Sequence, residues 1–205
     1  IISTLLMVKP TVNSLFLSEL TAEALPLGYV LTAFMALLGS YFYNKALEVY
    51  PLNRVTEMTL LSSVVSLLVF GILFKFNLAK GFILYIPYVW VAIFGLLSAS
   101  QFWILANLVY NVREAKRVFG FIGAGAIAGG IFGGYLTSVL TNVISAESLF
   151  FVAAFLLVLC LPITRYIWKT EAASLNEFQV SKRKGPQEKS PFKLIKKSKL
   201  LSLIA

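Results

Sequence analysis

The first residue in this chain that could do chemistry is a lone ammonium in an apolar run. Lys9 follows Leu5, Leu6, Met7 and Val8 and precedes Pro10. An unpaired charge in hydrocarbon is costly, so Lys9 is expected to face the interior of a helix bundle, where it can bind an anion or a phosphate. The competing role is a snorkelling lysine or a structural ion pair. The Lys9-Pro10 step is also a place where a helix can break and free backbone groups for a ligand. Thr11 and Asn13 lie nearby on the same segment. Gln101 and Asn107 interrupt a second long apolar run, and Trp103 between them can stack on a planar ligand. Lys9, Asn13, Gln101, Trp103 and Asn107 are thus the candidate substrate-binding residues. The polar side chains of the later run have a packing role open to them as well, as hydrogen-bonding glue between helices.

The stretch REAKRVFGFIGAGAIAGGIFGG, residues 113–134, raises two further chemistries. GAGAIA, Gly123 to Ala128, fits the dinucleotide fingerprint G-x-G-x-x-A, but that fingerprint needs a strand before it and a helix after it. Here it lies inside an apolar run from Val118 to Ala146, and no Lys-Ser or Lys-Thr follows the last glycine as a phosphate-binding loop requires. Spacing favours helix packing instead. Gly125, Gly129 and Gly133 recur every fourth residue, with Gly130 and Gly134 in a parallel row, leaving a broad face almost without side chains. Such a face serves close packing, or sliding of one helix on another. The charges ahead of it, Arg113, Glu114, Lys116 and Arg117, are either a positive stop or an inner gate that pairs with Glu48 or Glu57.

Other chemistry finds no support. The chain has no histidine and no aspartate, which removes imidazole metal sites, histidine-based triads and aspartate-based phosphoryl transfer, so no enzyme, metal or cofactor is expected. Its single cysteine, Cys160, lies in an apolar run and is expected to be inert.

These residues must be positioned by membrane helices. The sequence is 59% hydrophobic and 13% charged, with a mean hydropathy of +0.84. Uncharged windows run from Ala24 to Asn44, Met58 to Phe74, Gly81 to Val112, Val118 to Ala146 and Ser148 to Thr164. Most approach or exceed the ~20 residues that cross a bilayer as a helix, and none alternates as a barrel strand would. Residues 1–18 read as the later part of a sixth helix. A signal peptide is disfavoured, because no basic leader precedes the run and Lys9-Pro10 splits it. The expected fold is all-α, a polytopic six-helix bundle over residues 1–168. A basic linker over 169–194 and the beginning of a seventh helix over 195–205 follow.

Of the 18 Lys and Arg, 15 fall on one side if helix 1 runs outward. The positive-inside rule then puts the linker in the cytoplasm, with a bacterial inner membrane the expected setting. The net charge of +9 is topology and attraction to anionic lipid, with no nucleic acid implied. Six helices, a long linker and a new apolar run predict one half of a twelve-helix transporter built from two six-helix repeats. No internal repeat is visible as residue identity.

The block QFWILANLVYNVREAKRVFGFIGAGAIAGGIFGG resembles the fourth and fifth helices of the ATP/ADP translocase-like nucleotide transporters of the major facilitator superfamily. KPTVNSLFLSEL with LPLGYVLTA resembles their helix 1 and its exit, and SPFKLIKKSKLLSLIA their approach to helix 7. The resemblance implies the amino-terminal half of a twelve-helix protein, alternating access, and antiport of ATP for ADP. Alignment places the family's acidic position of helix 4 near Val91 and its characteristic helix 1 lysine near Val12, with Lys9 at the neighbouring basic position. Two functions follow. One is secondary transport of an organic anion, nucleotide-like, with Lys9 as the contact. The other is a transporter-like module that anchors or assembles soluble partner domains. In both, the partners are the lipid bilayer and the protein's own carboxy-terminal half.

Overall fold

In the computed structural model, residues 1–110 and 112–170 are described; the linker and seventh-helix assignments over 171–205 lie outside the described residues. Every long element is a helix: α1 (Ile2–Glu19), α2 (Leu25–Val49), α3 (Leu52–Lys75), α4 (Tyr85–Val109), α5 (Val112–Leu140) and α6 (Leu149–Thr170). Single 3-10 turns precede α2, α4 and α6. By length and composition α2 through α6 can each cross a membrane. The chain is an α-helical membrane bundle.

Local sequence sets the ends. Pro26 lies in the first turn of α2 and Pro51 caps α3, positions where a missing N–H costs nothing. The end of α3 closes with Leu78 N–H bonded to Leu73 O (2.9 Å) and Asn77 N–H to Phe74 O (3.0 Å). Asn77 takes φ 54°, the left-handed value this closure needs and asparagine tolerates.

Four helices build the core. Met7, Val8, Val12 and Phe16 of α1 pack among Leu67 and Phe70 of α3, Tyr88 and Val91 of α4, and Phe150 and Leu157 of α6. Phe16 meets Tyr85 edge-on at 5.1 Å, and Phe74 stacks on Phe150 at 5.2 Å. The α2 and α5 helices flank this core and leave most of their side chains exposed, including Phe34 and Tyr41 on α2 and Phe121 and Ile131 on α5. In a bilayer such faces meet lipid or another apolar partner. Closest packing joins α3 with α6, α1 with α5, α2 with α4, and α1 with α4 and α6. A smaller cluster of Leu52 and Trp168, bordered by Leu47, Ile104 and Val109, ties α2, α3, α4 and α6 together at the end that carries most of the described basic residues.

Candidate functional site

The α1 helix runs unbroken through Pro10, so the expected break does not occur. The proline still removes one N–H from the ladder, which leaves the Leu6 carbonyl without its helical donor. One residue on, Thr11 Oγ1 donates to Met7 O at 2.8 Å. The buried face of α1 is Thr4, Met7, Val8, Thr11, Val12 and Phe16, and Lys9 stands exposed on the other side with Leu6 and Leu17. Among the described residues Lys9 makes no ion pair. Asn13, one turn later, is half-buried.

The α4 candidates divide between two faces. Trp103 and Asn107 are exposed, four residues apart on one stripe, and the Trp103 ring lies edge-on to Phe119 of α5 at 5.3 Å. Gln101 is buried, and its Nε2 donates to Thr59 Oγ1 of α3 at 2.7 Å. The assembly expected from sequence does not form. Leu5 packs on Gly95 and Phe16 on Tyr85 and Tyr88, so α1 and α4 run antiparallel and Lys9 is level with about Val91. Trp103 lies twelve residues further along, roughly 18 Å at about 1.5 Å per residue. Lys9 with Asn13 and Trp103 with Asn107 are therefore two separate patches, and Gln101 belongs to neither. Val12 and Val91, where the family resemblance implies charges, are 1% and 4% exposed and belong to the core.

The charges named for a positive stop or an inner gate lie at helix ends and on the α3–α6 pair. Arg113, Glu114, Lys116 and Arg117 are exposed in the first turns of α5. Glu57 pairs with Arg165 of α6, Nε to Oε1 at 3.2 Å, because α3 packs along α6. Glu48 is exposed in the last turn of α2 and has no ion pair among the described residues.

Of the glycines, three of five do what their spacing predicts. Gly129, Gly130 and Gly133 face Ile2, Ser3 and Leu6 of α1, and Ser3 Oγ donates to the Gly129 carbonyl at 2.7 Å. A methyl group at Gly133 would lie 2.6 Å from Ser3 O and 2.8 Å from Ser3 Cα. Gly125 and Gly134 meet nothing within 4 Å, since at 100° per residue they lie to either side of the stripe that faces α1.

Sequence reasoning missed Thr59, Arg165, Trp168 and Tyr43. Thr59 and Tyr43 surround Gln101, and the buried Tyr43 hydroxyl lies beside that amide outside hydrogen-bonding geometry. Trp168 Nε1 is likewise buried without a partner. Polar residues on an apolar helix were the available signal, and Thr59, Ser62 and Ser63 carry it. No family model, curated protein or solved structure matches the chain.

Proposed function

We propose that this bundle is the amino-terminal half of a major facilitator-type secondary transporter that moves an organic anion, nucleotide-like, by alternating access. The observation that carries the reading is the symmetry of the packing. Exchanging α1 with α4, α2 with α5 and α3 with α6 turns the α1–α5 contact into α4–α2 and leaves α3–α6 and α1–α4 in place, while the α1–α6 contact has only a weaker counterpart in α4–α3. An inverted three-plus-three repeat of this kind is the internal plan of one such half. In this reading the open faces of α2 and α5 meet the protein's second half, the basic end lies in the cytoplasm, and the halves rock about a site between them.

Lys9 is the residue expected to bind the anion. It is exposed on α1, has no ion pair among the described residues, and neighbours a carbonyl stripped of its donor by Pro10. Exchange of ATP for ADP, as in the translocase-like branch, is the specific form tested first. A second reading, a transporter-like anchor that no longer transports, is favoured by the burial of Val12 and Val91 and by the engagement of Gln101 with Thr59. Proteoliposomes of the full-length protein, empty or preloaded with nucleotide, decide between them through uptake of labelled ATP, ADP and phosphate. Saturable uptake abolished in Lys9→Ala supports transport. A folded protein that takes up none of the three favours the anchor.

A further inference from the structure

The packing symmetry of the bundle is imperfect at one seam. Exchange of the two repeats maps α1–α6 onto α4–α3, yet these two seams differ. On the first the core is closed. Val8 of α1 and Ala153, Ala154 and Leu157 of α6 are at most 2% exposed, and Ile1 N lies 3.6 Å from Cys160 Sγ. On the second, α3 and α4 touch over little of their length, and a crevice of about 180 Å³ separates them.

The crevice is held at both ends. Phe70 meets Trp90 edge-on at 5.4 Å, and Gln101 Nε2 donates to Thr59 Oγ1 at 2.7 Å. These contacts are eleven residues apart on either helix, roughly 16 Å at about 1.5 Å per residue, so the antiparallel register is the same at both. It sets Ser62 of α3 level with Ser98 of α4, and both line the crevice with Ser63.

Such walls suit two arrangements. Thr59 Oγ1 donates to Val55 O (3.0 Å) and Thr56 O (2.9 Å), and Ser63 Oγ donates to Thr59 O at 2.7 Å. Those bonds stay within α3, so they survive whether the walls are apart or together. Serines at the level of closest approach leave room for the backbones to meet, and Ser62 can pair with Ser98 when they do. The stretch of α4 along the crevice is also the one on which α1 packs, with Leu5 against Gly95. A shift of α4 toward α3 therefore draws α1 with it, and Ile1, one turn before Leu5, is where α1 meets Cys160 of α6.

We infer that the α3–α4 crevice is a collapsible seam that alternates with the α1–α6 seam. In the opposite-facing state α4 settles onto α3 through Ser62, Ser63 and Ser98, while α1 parts from α6 at Ile1 and Cys160. This rests on the transporter reading of the packing symmetry, in which each repeat takes up the other's arrangement when the half changes state.

Two disulfides in the full-length protein read the two seams. Ile1→Cys with the native Cys160 closes α1–α6, and Ser62→Cys with Ser98→Cys, in a Cys160→Ser background, closes α3–α4. A third protein carries both pairs. Each is oxidised in liposomes without substrate, and the bonds are mapped by peptide mass and counted per molecule. Each pair is expected to crosslink alone, and in the third protein the doubly crosslinked species should fall several-fold below the product of the separate yields. Absence of a bond from Ser98→Cys to either Ser62→Cys or Ser63→Cys, or a doubly crosslinked species at that product, would overturn the alternation. The two readings fail separately. Exclusive crosslinking in a protein that takes up no anion sinks transport and leaves the seam, whereas uptake with joint crosslinking sinks the seam alone.

Discussion

Gly133→Ala tests the contact on which α1 and α5 are docked. Two opposing terms set its size. Alanine in place of glycine within a helix favours the helix by roughly 0.5–1 kcal/mol. At Gly133, however, the new methyl would lie 2.6 Å and 2.8 Å from the backbone of Ser3, atoms that no rotamer change can move aside. Overpacking of that kind costs typically about 1–3 kcal/mol, so the variant is expected to lose stability on balance. Gly134→Ala supplies the control one residue away, where a methyl meets nothing within 4 Å. The propensity gain is common to both and cancels in the comparison, leaving Gly133→Ala less stable than Gly134→Ala by about 1–3 kcal/mol. Reversible unfolding in mixed micelles measures the difference, and a disulfide crosslink between α1 and α5 reports whether the helices have separated. Equal stability of the two variants would refute the close approach of α1 to Gly133.

Four further outcomes follow from the same geometry. Gln101→Leu combined with Thr59→Val in a double-mutant cycle should show a coupling of about 0.6 kcal/mol, the usual size of an interhelical hydrogen bond in a membrane protein, and no coupling would separate these side chains. Thr32 Oγ1 is buried without a partner, so Thr32→Val should be neutral or stabilising by up to about 1 kcal/mol in the same unfolding assay. Glu57→Gln should shift stability by no more than about 1 kcal/mol, because its partner Arg165 is largely exposed, and the shift should shrink as salt is raised. Phe150→Ala, which removes a ring stacked on Phe74 in the core, should cost about 3–5 kcal/mol, and a loss below 1 would place that ring outside the core.

Sequence by itself determined the solvent and the elements. A bilayer leaves no water to satisfy the backbone, so long apolar runs can only be helices, and the uncharged windows located each of them, although α3, α5 and α6 run on by more than a turn into charged sequence. It also showed the glycine face of α5, because side-chain absence at a four-residue period is visible as letters. What it could not supply was the direction each polar residue faces. Gln101, Trp103 and Asn107 lie within two turns of one another, yet Gln101 reaches α3 while the others face outward. Lys9 and Trp103 both suit a ligand, but the antiparallel register of α1 on α4 holds them about 18 Å apart along the bundle. Gly129 and Gly134 are alike in sequence, and only the crossing of α1 decides that one is packed and the other free. The packing symmetry that supports a transporter half was equally hidden, since two helices can occupy equivalent places without sharing residues. Span and composition are properties of one segment in its solvent. Register and partnership belong to pairs of helices, and in lipid they are settled by close contact and hydrogen bonds that form only once the helices meet.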